Sequence, residues 1–159
     1  MRSTPAPPRQ YTASEVEEMD DSIAYELDHG ELVERNMGSE AGTIGGLIIT
    51  WLNNFLRGRG PGFTFPSEVT LHIYPGNLSH FRRADVSFVR KDRLPSGHPP
   101  KGRLFLAPDL VVEVLSPNDK AVKVERRWPS IWTRASTRMD VFPETRSVVV
   151  DGRTAPQRF

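Results

Sequence analysis

The run from Ala107 to Pro117 constrains the fold of this chain more than any other stretch. It is apolar and rich in β-branched residues, carries one acid near its centre, Glu113, and ends at Ser116-Pro117. Such runs bounded by turn residues are typical of strands buried on both faces of a sheet. An ionised carboxylate is costly there unless it is paired, hydrogen-bonded or bound to a metal. Glu113 is therefore either a functional acid or one half of a structural ion pair.

A second acidic strand favours the functional interpretation of Glu113. The stretch Arg82–Val89 is predicted as another strand and carries Asp85 near its start. Two such strands can lie side by side and direct both carboxylates at one point. Mg²⁺ is usually held by one or two carboxylates together with water and substrate phosphate, and this arrangement suits hydrolysis of phosphodiester bonds. We therefore predict that Asp85 and Glu113 bind one Mg²⁺ ion.

The composition is that of one ordinary soluble globular domain. The chain has 159 residues, of which 37% are hydrophobic and 26% charged, and its net charge is only +1. Any surface that binds nucleic acid must therefore come from local clustering of basic residues. The absence of cysteine excludes disulfides and zinc–thiolate sites and fits a reducing cytoplasm. We predict a disordered lead-in at residues 1–10, a single domain at 11–150 and a polar tail at 151–159, with no membrane span.

The remaining pattern is that of an α/β protein. Tyr11–Met19 predicts a short helix with a capping box, and Ala24–Glu34 predicts a hairpin in which Glu31 either lines a site or faces solvent. Val69–Val89 is predicted as one long hairpin, and Asn118–Arg126 as the start of a helix. Between the two predicted hairpins lies a long helix whose apolar residues recur at helical spacing, which predicts one face packed on the core. These residues are Ile44, Leu47, Ile48, Trp51, Leu52 and Phe55.

Basic residues flank the strand that carries Asp85. They are Arg82, Arg83, Arg90, Lys91 and Arg93. Cations beside a metal site can neutralise a nucleic-acid backbone, and binding of that kind depends steeply on salt and little on base sequence. A charged strand edge that prevents aggregation explains the same residues nearly as well, so both interpretations stay open.

Four segments, taken together and in this order, resemble a known family. They are Tyr25–Val33, Ala84–Val89, Ala107–Pro117 and Pro143–Thr145. From about Tyr11 to Val150 the chain is similar to the Uma-two family of endonucleases, within the PD-(D/E)XK restriction-endonuclease-like superfamily. The segment around Glu113 is the most specific of the four.

The resemblance implies a fold, a cofactor and a partner. It implies a mixed β-sheet flanked by helices and a nuclease that acts on DNA, with Asp85 and Glu113 as ligands of Mg²⁺. A homodimer is a further expectation from the superfamily. The wider superfamily has a lysine two residues after the second acid, where this chain has Leu115, whereas this family carries its lysine on the following helix. Lys123 is the nearby substitute that this chain offers for orienting or deprotonating the attacking water.

The segment from Arg127 to Ser136 departs from the family pattern in a way that predicts damage. Permitted codons for residues 126–136, read one base out of frame, encode Lys-Met-Ala-Glu-Tyr-Leu-Asp-Ala-Gly-Val, which is the segment that the family has here. We therefore predict a compensated frameshift that alters the helix at 127–137. It puts Pro129 inside that helix, at a cost of about 3 kcal/mol or more. It also puts Arg127, which cannot accept a proton at neutral pH, in place of the lysine.

Two functions from different classes remain after this reasoning. One is a Mg²⁺-dependent DNA endonuclease with a weakened active site. The other is a catalytically inactive nucleic-acid-binding or structural module of the same fold. A basic side chain within a few ångströms of the carboxylates of Asp85 and Glu113 would favour the enzyme, because a group that moves protons must lie close to the reacting atoms.

Overall fold

The structure, a computed structural model, describes residues 9–35, 38–74, 76–115, 137–152 and 157–158. Within these residues the helices are α1 (Ala13–Glu17) and α2 (Ser39–Leu56). The strands are β1 (Tyr25–Asp28), β2 (Glu31–Glu34), β3 (Gly62–Pro66), β4 (Val86–Arg90), β5 (Leu110–Val114), β6 (Thr137–Phe142), β7 (Ser147–Gly152) and β8 (Gln157–Arg158). The predicted helix that starts at Asn118 and nearly all of residues 127–137, where the sequence predicts a frameshift, lie outside the described residues.

A six-stranded mixed sheet forms the centre of the fold, in the spatial order β3-β4-β5-β6-β7-β8. Neighbouring strands are antiparallel except β5 and β6, which run parallel. Strands β1 and β2 form a separate two-stranded hairpin. The expected fold class, an α/β protein with a restriction-endonuclease-like mixed sheet flanked by helices, is confirmed. Strand β8 lies within residues 151–159, for which the sequence predicted a polar tail.

Helix α1 begins with the capping box that the sequence predicts. The hydroxyl of Thr12 accepts a hydrogen bond of 3.3 Å from the N–H of Glu15, whose carboxylate accepts one of 2.8 Å from the N–H of Thr12. The helix then buries Val16 against Leu27 of β1 and against Phe81. This small cluster fixes the hairpin of β1 and β2 to the rest of the molecule.

Helix α2 packs on the sheet by a different face from the predicted one. Leu47, Trp51 and Phe55 of the predicted stripe are exposed by 49%, 66% and 64%. The residue that α2 buries fully is Gly45, where a Cβ atom would lie 3.7 Å from the carbonyl oxygen of Asp85. The helix therefore lies against the start of β4 at Gly45, while part of the apolar stripe faces outward. Within the described residues, no helix is long and apolar enough to cross a membrane.

The predicted hairpin over Val69–Val89 is wrong for most of its length. A regular strand begins only at Val86, and Leu71 instead makes isolated bridges with Arg82 and Leu104. The N–H of Leu71 donates to Arg82 at 2.8 Å, whereas the next N–H along the chain donates to Leu104 at 2.7 Å. Both bridges at Leu71 stay isolated, so neither contact continues into a regular ladder.

Candidate active site

Asp85 lies directly before β4 and is tied to the far end of β5. Its Oδ2 accepts a hydrogen bond of 2.8 Å from the backbone N–H of Val114, the last residue of β5. The side chain remains 22% exposed, so ions and solvent can reach it. The sequence predicted Asp85 inside a strand, whereas the strand begins one residue later, at Val86.

Glu113 is buried in β5, at the position that the strand register sets beside Asp85. The antiparallel register of β4 and β5 pairs Val86 with Val112, so one further step along both strands places Asp85 opposite Glu113. Residues directly opposite each other in an antiparallel pair have Cβ atoms about 4.5–5.5 Å apart on one face. Their shared binding of one metal ion stays a prediction.

Asp140 extends this pair into a row of three acids. In the parallel register of β5 and β6, Asp140 pairs with Glu113, and both side chains are buried. We call Asp85, Glu113 and Asp140 the acid row. Arg138, two residues earlier on the same face of β6, forms an ion pair with Asp140. The sequence analysis did not single out Asp140, although an acid among apolar strand residues is the same signal that pointed to Glu113.

Arg35 is the described basic side chain that approaches the first acid of the row. Its Nη2 lies 3.8 Å from Oδ1 of Asp85, and its side chain is only 6% exposed. Its Nη1 also donates hydrogen bonds of 3.3 Å to the carbonyl oxygens of Ile23 and Ser67. These contacts hold the guanidinium in one place. An arginine supplies positive charge and orientation there, but it cannot take a proton from water at neutral pH.

A buried polar network continues from Arg35 into β1. Glu26, fully buried, accepts a hydrogen bond of 2.9 Å from the backbone N–H of Arg83, and its other oxygen lies 3.7 Å from Nη1 of Arg82. Burial, followed by the charge of Arg35, lowers the pKa of Arg83. Glu26 and Arg35 escape sequence reasoning because each lies in an ordinary polar stretch. Only their burial marks them as special.

The structure places the other candidate residues as follows. Arg82 and Arg83 are buried, so these two form neither a charged strand edge nor a surface for a nucleic-acid backbone. Arg90 and Lys91 are exposed, and so is Glu31, which faces solvent in this structure. Lys123 lies outside the described residues.

Comparison with known protein families matches residues 8–150 to the family Uma2, described as "Putative restriction endonuclease". The chain belongs to this family. Among solved structures, it is similar to the crystal structure of a "putative nuclease belonging to DUF820" from Anabaena variabilis. The identity is 18% and the TM-score 0.72, over 94% of this chain and 84% of that one, so the likeness shows the fold. Comparison with proteins of curated function finds no match.

Membership in Uma2 confirms the resemblance seen in the sequence. It indicates a restriction-endonuclease-like nuclease, that is, a hydrolase of phosphodiester bonds whose substrate is a nucleic acid. The chemistry of the acid row agrees with this class, since carboxylate oxygens are the ligands of the hard cations that polarise phosphates.

Proposed function

We propose that this Uma2 protein is a Mg²⁺-dependent DNA endonuclease in which Asp85 and Glu113 bind the metal. The observation that carries the proposal is the hydrogen bond from Val114 to Asp85, together with the strand register, because they bring two acids that are distant in sequence to adjacent positions. Two carboxylates, water and a substrate phosphate make up a typical Mg²⁺ coordination shell.

Each described residue of the site has a definite task in this proposal. Glu113 and Asp85 bind the ion, and the N–H of Val114 orients Asp85 by occupying its Oδ2. Arg35 balances the negative charge of Asp85 when no ion is present. Once bound, Mg²⁺ supplies Lewis-acid polarisation of the phosphate and a lower pKa for its water. Lys123 is the proposed group that orients or deprotonates that water.

The proposal includes a weakened activity. By this account the segment at 127–137 has Arg127 in place of the family's lysine, and Lys123 stands four residues earlier in the sequence. A group that transfers a proton must come within hydrogen-bond reach of it, directly or through one water. We therefore infer that this chain cleaves DNA poorly, and that the nucleotide sequence of codons 126–136 carries the family's segment in a neighbouring frame.

The alternative is a catalytically inactive nucleic-acid-binding or structural module. The observation in its favour concerns the basic side chain that the described residues place beside Asp85. Arg35 lies close to the carboxylate, as the enzyme requires, but an arginine is not a proton acceptor. Binding to a DNA backbone, with or without cleavage, weakens steeply with salt and shows little sequence preference. A filter-binding titration that is flat in salt would contradict DNA as the partner.

Cleavage of supercoiled plasmid DNA tests the choice between the two functions. The purified chain is assayed with Mg²⁺ and with a chelator, beside Asp85→Ala and a matched surface control, His98→Ala. The same assay is run on a chain in which residues 127–136 carry the family-like segment. Weak Mg²⁺-dependent nicking that Asp85→Ala removes and the replaced segment increases supports the proposal. No nicking by either chain would leave the inactive module as the function.

A further inference from the structure

A second group of metal-binding side chains lies at the tip of the β1–β2 hairpin, outside the acid row. Asp28 ends β1, His29 occupies the following turn, and His80 comes from a neighbouring loop. The backbone N–H of Gly30 donates a hydrogen bond of 2.8 Å to the carbonyl of Ser79, which fastens that loop to the turn. We call Asp28, His29 and His80 the hairpin-tip cluster.

The distances within the cluster are those of metal ligands. One ligand atom from each residue lies within 4.8 Å of the others. Nδ1 of His80 is 3.1 Å from Oδ1 of Asp28, and Nε2 of His29 is 3.8 Å from the same oxygen. Two ligands of a tetrahedral zinc ion with bonds of about 2.0 Å lie roughly 3.3 Å apart. The first pair therefore already has this spacing, and His29, 78% exposed, is free to close the rest by side-chain rotation.

His80 supplies the independent sign that a ligand is bound. Its side chain is only 1% exposed, and neither ring nitrogen has a hydrogen-bond partner. Nδ1 lies 3.1 Å from Oδ1 of Asp28. Buried polar groups are rarely left without a partner. A cation between Nδ1 and Oδ1 satisfies these two atoms, whereas Nε2 keeps no partner among the described residues.

Arg82 orients the carboxylate of Asp28 through the oxygen that the imidazoles do not contact. Its Nη2 lies 3.1 Å from Oδ2 of Asp28, and its side chain is 2% exposed. The guanidinium contacts Oδ2 of Asp28, whereas the imidazoles of His80 and His29 lie near Oδ1. In protein metal sites, contacts of this kind, from residues that do not touch the metal, hold its direct ligands in place.

We propose that Asp28, His29 and His80 bind a Zn²⁺ ion, with water as the fourth ligand, that pins the hairpin tip to the loop of His80. Imidazole nitrogens suit zinc and other late transition metals, whereas Mg²⁺ takes oxygen ligands. The site is therefore chemically distinct from the acid row and needs no part of it. The ion would join two segments of backbone and, with water as the fourth ligand, would keep one open coordination position.

Titration of the full-length chain, freed of metal by a chelator, with Zn²⁺ alone tests the site. We expect one ion per chain by calorimetry, and visible absorption bands of tetrahedral coordination when Co²⁺ is used instead. His29→Asn should weaken Zn²⁺ binding at least about tenfold, and asparagine is well tolerated at the positive φ of 50° found there. His98→Ala, which alters another exposed histidine, should leave the affinity unchanged.

Further variants separate this inference from the proposed nuclease. Asp85→Ala and Glu113→Gln should bind Zn²⁺ as the unaltered chain does, even if neither cleaves DNA. His80→Gln should weaken binding as much as His29→Asn, and if it does not fold, His29→Asn decides alone because its side chain is exposed. Zn²⁺ binding that is equal in the unaltered chain and in His29→Asn, or absent from both, overturns the site.

Discussion

The acid row and the hairpin-tip cluster both gather metal-binding side chains, but the fold assembles them in different ways. Each residue of the acid row comes from or next to a different strand of the main sheet, and the strand register aligns all three. In the hairpin-tip cluster, two residues are neighbours in sequence, Asp28 and His29, and the third arrives by loop contacts. One site depends on long-range strand pairing and the other on a turn.

The difference has a consequence for how each site responds to change. Substitutions that weaken the packing of the six-stranded sheet or of α2 should lower Mg²⁺ binding by the acid row. The hairpin-tip cluster should keep its affinity for Zn²⁺. Conversely, substitution at the hairpin tip should leave the sheet register intact. The sites also differ in ligand chemistry, oxygen alone against nitrogen and oxygen, so Mg²⁺ and Zn²⁺ should report on them separately.

The largest expected effect is on cleavage by the acid row. In a chain that carries the family-like segment at 127–136, Glu113→Gln should lower the Mg²⁺-dependent rate at least about a hundredfold, because the metal contributes several kcal/mol of charge stabilisation. Asp140→Asn should cost about tenfold, because Arg138 already neutralises that carboxylate. Initial rates of plasmid nicking measure both. Equal losses would show that Asp140 is a ligand of the same rank as Glu113.

The next effect is on stability, through Arg35. Arg35→Met leaves the carboxylate of Asp85 and two carbonyl oxygens without their cation, and should lower the free energy of unfolding by about 2–4 kcal/mol, since Asp85 is only partly buried. Arg90→Met, which breaks an exposed pair with Asp92, should cost much less, because solvent screens exposed ion pairs. Urea unfolding measures both losses. Unchanged Zn²⁺ affinity in Arg35→Met would show that the two sites are independent. Similar losses of stability in Arg35→Met and Arg90→Met would contradict the role given to Arg35.

A smaller effect on stability is expected where α2 touches the sheet. Gly45→Leu should destabilise the protein by about 1–3 kcal/mol, because its side chain must displace the helix from Asp85 and Val86. Gly46 has nothing within 4 Å of the position of a Cβ atom, so Gly46→Leu should stabilise by up to about 1 kcal/mol through helix propensity. Thermal unfolding compares the two. If Gly45→Leu destabilises the protein no more than Gly46→Leu does, α2 does not pack on the sheet through Gly45.

The smallest effect is a pH dependence that arises beside the hairpin tip. Burial, followed by the charge of Arg103, lowers the pKa of His72, with Glu17 opposing. An unfolded histidine binds its proton near pH 6.5, so the stability from neutral His72 is complete above that pH and is lost as the pH falls through it. In His72→Phe, the loss of stability on acidification should be smaller. It should not vanish, because burial also lowers the pKa of His80 to about 4. Urea midpoints at about pH 7.5 and about pH 5.5 measure the change, and an unaltered slope in His72→Phe would contradict it.

Much of the fold could be predicted from local patterns. The strand around Glu113, the capping box at Thr12 and the hairpin with its turn at His29 and Gly30 are all found as the sequence indicates. Each depends on residues close together in the chain, whose side-chain chemistry favours one backbone conformation. The burial of Glu113 could be predicted as well, because the apolar residues around it leave few exposed positions.

Predictions that depended on distant contacts fared less well. The apolar stripe of α2 pointed to a core face, but α2 meets the sheet at Gly45 and leaves Trp51 and Phe55 exposed. Helical spacing identifies which residues share a face and does not say which neighbour that face meets. The hairpin predicted over 69–89 failed because the pairing of Leu71 with Arg82 does not extend beyond one isolated bridge, and the distant Leu104 pairs with the same residue.

The sequence by itself determined the family, the fold class and the two acids at the centre of the candidate active site, because these follow from residue types in short runs. Only the tertiary structure revealed Arg35 and the hairpin-tip cluster and placed Asp140 beside Glu113. Their significance lies in burial and in proximity across dozens of residues, and the pairing of strands and loops decides both. A carboxylate or an imidazole becomes a candidate ligand when the fold removes it from water and faces it with another, and no local pattern records that event.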